Sequence, residues 1–207
     1  LLNSVNHLIY GVFIMQSHII NWVNIHLKGD LWAQHHRLRY QSFVDRQGWN
    51  VPNHIQMEWD QYDNPRATYI LIEENGQCLA CCRLVSSTHP YMIEEIFPDL
   101  LPYAPPKVNH IWEASRIAVA QHIPANQRQT ALQGLIIAIQ QFGLDNGIDK
   151  YLGLMPMAIF KRTLIRNGVR VDIHKDHAKD IDGKLTAIAD IYVDQVTIDF
   201  LRNKVAA

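Results

Sequence analysis

Little in this chain ties it to nucleic acid, metal, membrane or disulfide chemistry, and each scarcity narrows its possible roles. Lys and Arg number 19 against 20 Asp and Glu, a net charge of -1, so no global basic field points to nucleic acid. Only three cysteines occur, Cys78, Cys81 and Cys82, within five positions. That is a poor disulfide framework and fits a reducing cytoplasm better. Cys78-x-x-Cys81 has no second ligand pair at zinc spacing, which leaves the three as small apolar strand residues. No HExxH spacing suggests a metal, and no Gly-x-Ser-x-Gly elbow suggests a serine hydrolase. No uncharged apolar run reaches about 18 residues, so no membrane span is expected. A Gly-x-Gly-x-x-Gly turn is missing, which counts against a dinucleotide fold. Repeats and low-complexity tracts are also missing.

What is present is an ordinary globular composition: 207 residues, 48% hydrophobic and 19% charged. Leu1 to Ile14 is apolar but lacks the basic start and cleavage site of a leader. Met15 reads as the natural start, making residues 1–14 an extension and residues 15–207 one domain. Ile19 to Ile25 is expected as a first strand. Asp30 is expected to cap a helix that Gly48 ends. Pro52 to Pro65 reads as a long loop. Ala67–Glu73 and Gln77–Val85 read as strands joined through Glu74-Asn75-Gly76, a hairpin signal. A short helix at Tyr91–Phe97 and a strand at His110–Ala120 follow. A helix opens near Asn126, carries an apolar stripe (Leu132, Leu135, Ile136, Ile139, Phe142) and ends at Gly147. Ile148–Leu154, Val169–Ile173 and Leu185–Val193 read as further strands, with a helix from Pro156 to Asn167 and a short C-terminal helix. This order implies an α/β fold with a mixed sheet flanked by helices.

Three polar clusters stand out. Arg39 and Phe43 are four apart on one helical face, followed by Trp49, which pairs a cation with aromatic rings. Either they hold a ligand with a carboxylate and a flat base, or Arg39 edges a core stripe. Glu58-Trp59-Asp60-Gln61-Tyr62-Asp63 interleaves acids with aromatics, as a cation site or as solvated loop acids. Glu113 and Arg116 lie in a strand, with Arg83 near the end of the preceding hairpin. Charges in central strands need a partner or a cleft, and a Glu113–Arg83 ion pair would supply one. Side chains three apart in a regular strand face opposite ways, so one site could use both Glu113 and Arg116 only if the strand is distorted there.

Taken together, Arg39, Phe43, Trp49, Asp60, Asp63, Arg83, Glu113 and Arg116 resemble, in order and spacing, the pattern of the acyl-homoserine lactone synthases, the autoinducer synthases of bacterial quorum sensing. The similarity spans roughly Met15 to Gly168 and includes Leu38-Arg39-Tyr40, Cys82-Arg83-Leu84, Pro90-Tyr91-Met92 and Ile96-Phe97-Pro98. It implies an N-acetyltransferase-like fold, a mixed twisted sheet with a V-shaped cleft. It also implies a reaction in which the amine of S-adenosylmethionine attacks an acyl thioester, after which lactone closure expels 5′-methylthioadenosine. S-adenosylmethionine would then be a substrate, with no separate cofactor. Glu113 would be the base, and Arg116 would orient Glu113 or a substrate carboxylate. Asp60, Asp63 and Arg83 would form the polar network, while Arg39, Phe43 and Trp49 would complete the pocket.

The resemblance further implies an acidic acyl carrier protein as donor, with acyl-coenzyme A as the alternative. Lys161, Arg162, Arg166 and Arg170 could dock the carrier, or simply form a solvated face. Leu135, Ile139, Leu154, Met155 and Met157 would line an acyl tunnel. The run Leu154-Met155-Pro156-Met157 lacks the Thr common in relatives that make 3-oxo signals, which favours an unsubstituted chain. Two other readings compete: a coenzyme A-dependent N-acetyltransferase of the same fold, and a non-catalytic domain binding signals or acyl carriers. The first is weakened because Ile123 to Arg128 contains no glycine for a pyrophosphate turn.

Overall fold

A computed structural model describes residues 7–10 and 13–206. Most of the segment read as an N-terminal extension, residues 1–6, 11 and 12, lies outside the described residues. The chain divides into two compact units, Leu1–Leu84 with Arg116–Ala138, and Val85–Ser115 with Ile139–Ala207.

In the first unit, strand β1 (His7–Tyr10) pairs antiparallel with β2 (Phe13–Ile20). The first long strand therefore sits earlier than the apolar run Ile19–Ile25 suggests, and the chain turns at Asn21, whose side chain accepts the Val23 N–H. Helix α1 (Gly29–Arg39) has no side-chain cap. Asp30, expected at the cap, sits in the first turn, where its charge favours the helix N-terminus. The helix widens into a π-type turn over Tyr40–Asp45 and stops at Gly48, which takes φ +69°.

The segment expected as loop contains a small hairpin, β3 (Asn53–His54) and β4 (Met57–Glu58). Its turn residues Ile55 and Gln56 both hold positive φ, 50° and 56°. Neither is glycine, which is why the hairpin was illegible in sequence. Strand β5 (Ala67–Glu74) is buried almost throughout and pairs with β2, from Gln16↔Glu73 to Ile20↔Tyr69. Asn75 and Gly76, at φ 51° and 79°, turn it into β6 (Gln77–Ser86), the hairpin expected from Asn-Gly. The three cysteines on β6 are free and buried, and burial pushes the Cys81 thiol up to about 12, so they are inert packing residues.

The second unit carries a mixed sheet. Helix α2 (Met92–Ile96) precedes β7 (Ile111–Val119), whose first residues pair parallel with β8 (Lys150–Pro156), from Ile111↔Lys150 to Glu113↔Leu152. Between β7 and β8 the chain forms α3 (Ala125–Asp145), and Gly147, at φ +64°, follows it as expected. Pro156 is the residue that caps α4 (Met157–Thr163). Strands β9 (Val171–Ile173) and β10 (Lys179–Ile181) both pair antiparallel with β11 (Lys184–Tyr192), which also pairs with β8 along seven residues. The Asp182-Gly183 pair, expected in a loop, is the tight turn between β10 and β11. Helix α5 (Gln195–Ala206) closes the described chain. No helix among the described residues is long and apolar enough to cross a membrane.

Candidate functional site

Five of the residues singled out by sequence meet in one buried ion-pair ring in the first unit, and a sixth closes it. Arg39 forks onto Asp63 through Nη1 and Nη2, each 2.7 Å from a carboxylate oxygen. Its Nε donates to Glu58 at 2.5 Å. The other Glu58 oxygen accepts from Arg116 Nε at 2.9 Å, and Arg116 Nη2 reaches Asp60 at 2.7 Å. Asp60 in turn takes both terminal nitrogens of Arg83, at 2.5 and 3.2 Å. Arg83 Nη1 lies 3.2 Å from Asp63, which completes the cycle. Six charges of alternating sign thus form a closed ring of zero net charge. No side chain in it is more than 7% exposed.

The local backbone explains how the ring assembles. Asp63 also accepts the Asp60 N–H at 2.8 Å, and Asp60 accepts the Tyr62 N–H at 2.9 Å, so each carboxylate braces the turn that presents the other. Tyr69 on β5 donates its hydroxyl to Asp63 at 2.8 Å. Although burial alone would raise the Asp63 carboxyl, hydrogen bonds and charge from Arg39, with charge from Arg83, hold it well below the usual carboxylate range. Burial likewise opposes the charge on Arg39, yet Asp63 and Glu58 raise its basicity beyond the ordinary value. The Tyr69 phenol is pushed up, first by burial and then by Asp63.

Arg116 sits at φ +57° inside β7. A non-glycine residue there costs about 1–2 kcal/mol, so the strand carries the distortion that a regular extended chain could not supply. Its guanidinium carbon lies 5.7 Å over the Phe43 ring. Phe43 stacks on Trp49, centroids 4.8 Å apart and 14° from parallel, and the Trp49 N–H donates to the Phe43 carbonyl at 2.9 Å. That backbone bond folds the chain after the π-type turn back on itself, so that Trp49 covers the Phe43 ring that faces Arg116. Arg83 similarly covers Tyr62, 5.5 Å from its centroid.

Glu113 belongs to the second unit. It is fully buried on β7, and one carboxylate oxygen accepts the Ile93 N–H of α2 at 2.8 Å. On α4 and the chain after it, Lys161, Arg162, Arg166 and Arg170 are all exposed, with Arg170 lying 4.1 Å over the Tyr192 ring. Of the acyl-lining candidates, Leu135 in the first unit is fully buried. Ile139 in the second is buried, while Leu154, Met155 and Met157 are half-buried.

Glu58 is the residue sequence reasoning left out of its site. Charge balance gave no signal for it, because Asp60, Asp63 and Glu113 already matched Arg39, Arg83 and Arg116 in number; in the ring itself Glu58 is the third acid. His36 and Tyr69 were missed as well, since neither type announces a supporting role. Chemically, the ring offers fixed guanidiniums for a carboxylate, fixed carboxylates for a cation and aromatic faces for a flat base.

The autoinducer synthase family model matches residues 24–196. A curated acyl-homoserine-lactone synthase from Pseudomonas aeruginosa is 32% identical over 159 residues, 72% of this chain and 76% of the relative. One from Aeromonas hydrophila is 37% identical over 95 residues, and that match spans about half of each chain, 45% here and 46% of the relative. Among solved structures, the coenzyme A-dependent acyl-homoserine lactone synthase BjaI, solved with S-adenosylmethionine and isopentyl-CoA, superposes with TM-score 0.84 at 29% identity. That match covers 93% of this chain and 90% of that one. A candidate N-acetyltransferase from Lactobacillus plantarum shares the fold at TM-score 0.54 and 14% identity, covering 86% of this chain and 99% of that one.

Proposed function

This chain belongs to the autoinducer synthase family, and from that premise we propose that it makes an acyl-homoserine lactone from S-adenosylmethionine and an acyl thioester, releasing 5′-methylthioadenosine. The observation that carries the reading is the closed ring of Arg39, Glu58, Asp63, Arg83, Asp60 and Arg116 beside the Phe43–Trp49 stack. A folded amino acid bearing a carboxylate, an amine, a sulfonium and an adenine needs those partners: guanidinium, carboxylate and ring face.

The chemistry then assigns roles. The amine must lose a proton to attack the thioester, and Glu113 is the base, directly or through one water. Its buried carboxylate is held by the Ile93 N–H, which fixes the orientation of the carboxylate. Arg116 takes a substrate carboxylate, and Asp60, Asp63 and Arg83 hold the methionine portion. Lactone closure is intramolecular, so a pocket that folds the methionine chain back on itself supplies much of the rate.

For the donor, an acyl carrier protein fits the exposed basic face of Lys161, Arg162, Arg166 and Arg170, because complementary charge speeds encounter with an acidic partner. Acyl-coenzyme A is the second reading, favoured by the likeness to coenzyme A-dependent BjaI. Three free thiols fit a reducing compartment, and we place the reaction in the cytoplasm. Incubation with S-adenosylmethionine and each donor, followed by mass spectrometry, tests the function. Lactone and methylthioadenosine in equal amounts are expected, and neither forming with either donor would refute it.

A further inference from the structure

Two adjacent histidines on α1 are buried and take no part in the chemistry above. His35 is 0% exposed and His36 4%. Their ring centroids lie 3.9 Å apart, Trp32 packs at 4.7 Å against both, and Tyr69 packs at 4.9 Å against His35. His36 Nδ1 lies 2.7 Å from the backbone carbonyl of Glu58. A carbonyl only accepts, so His36 carries its proton on Nδ1 and donates. His35 does the same toward the Trp32 carbonyl at 2.6 Å.

We propose that His36 is a positioning residue for the S-adenosylmethionine pocket: as a neutral imidazole braced by His35, it anchors the backbone of Glu58 so that the carboxylate bridges Arg39 and Arg116. The inference rests on the function proposed above for what the pocket holds, and on geometry alone for what His36 holds. Glu58 sits in a two-residue strand whose only ladder partner among the described residues is the exposed Asn53–His54 strand, closed by a turn with two non-glycine residues at positive φ. Such a hairpin is marginal by itself. The Glu58 carboxylate and the Glu58 carbonyl both attach to α1, through Arg39 and His36 respectively.

Geometry opposes protonation at His35 alone, because His36 would keep its Nδ1 donation to Glu58 as an imidazolium. With both Nδ1 hydrogens already donated, protonation adds an N–H at Nε2. At His35 that atom is buried and meets no acceptor among the described residues. The charged and titratable groups facing the pair are Arg39 on the same helix, Glu58 on β4, Asp63 in the following turn and Tyr69 on β5. Burial, then the neighbouring imidazole and Arg39, push His35 well below its ordinary value, and burial followed by Arg39 lowers His36.

His36→Leu removes the donor, whereas His36→Asn keeps an N–H donor near the Nδ1 position and cannot titrate. His36→Leu should raise KM for S-adenosylmethionine about tenfold with kcat changed much less, the loss expected from one buried hydrogen bond. His36→Asn should recover most of that KM. A His36→Leu protein with ordinary KM, or an Asn variant no better than Leu, would overturn the proposal. A substrate-free double-mutant cycle of His36→Leu with Glu58→Gln decides it independently of activity. Melting-point losses that fall short of additive support the link, and additive losses contradict it. A wild-type protein indifferent to S-adenosylmethionine would remove the functional reading and leave the cycle to judge His36. Should His36→Leu fail to fold, His36→Asn decides: a folded Asn variant whose KM for S-adenosylmethionine rises about tenfold overturns the proposal.

Discussion

Replacing Glu58 by Gln keeps the side chain's shape and removes one of the three negative charges in the ring. The remaining members, three arginines and two aspartates, would carry a net charge of +1 although none of their side chains exceeds 7% exposure. The amide can accept from only one arginine. If its oxygen stays with Arg39 Nε, its NH2 faces Arg116 Nε, donor against donor. Removing one partner of a buried pair costs about 3–5 kcal/mol, because the abandoned charge stays buried. The cost here belongs at the upper end, since two arginines lose their partner at once. With a urea slope of about 2 kcal/mol/M, the midpoint should fall by about 2–2.5 M. The assay is equilibrium urea unfolding without substrate, followed by tryptophan fluorescence. Glu94→Gln serves as the control: its partner Lys107 is half exposed, at 47%. That surface pair should be worth no more than about 1 kcal/mol. If Glu58→Gln lost as little as Glu94→Gln, the ring would not be a desolvated, mutually dependent set of charges.

Glu113→Gln should fold normally and slow acylation by about 10²–10⁴, read from product formation at saturating substrate, and near-normal turnover would remove Glu113 as base. Gln56→Gly should stabilise the protein by about 0.5–1 kcal/mol in thermal or urea unfolding, because glycine accepts φ 56° without the left-handed penalty. Stability should also fall on acidification below about pH 6.5, by up to about 1.4 kcal/mol per pH unit for His35, with a smaller loss in the same direction from His36. Both have lowered values in the fold, so the unfolded chain binds more protons in that window, and the dependence flattens above it. Urea midpoints between pH 8 and 5.5 measure this, and a flat profile would contradict it. Asp63 adds a further loss only below about pH 4, where the unfolded chain's carboxyl takes up a proton that the folded one, held ionised by Arg39 and Arg83, does not.

How much of this was legible in the sequence follows from which forces act locally. Asn75-Gly76 announces its hairpin because the turn itself demands those residues. The β3–β4 hairpin at Ile55-Gln56 was invisible because tertiary attachment to α1, not turn chemistry, holds it in place. The strand distortion at Arg116 was foreseen as a requirement, since Glu113 and Arg116 in a regular strand must face apart, but nothing local says where a strand will kink. Arg39, Asp60, Asp63, Arg83 and Arg116 were chosen together and are found together. Glu58 stood in the same quoted run, and only the closed ring itself singles it out. His36 acts through a backbone carbonyl, and a backbone partner leaves no mark on sequence.

Synthesis of a lactone by this protein requires that the first unit's ring and aromatic stack receive S-adenosylmethionine. Titration calorimetry of the folded protein with S-adenosylmethionine, alone and with an acyl donor present, addresses that directly. Saturable binding is expected, together with its loss in a folded Trp49→Ala variant that removes the face stacked on Phe43. No heat of binding in either condition, or undiminished affinity in Trp49→Ala, would contradict it.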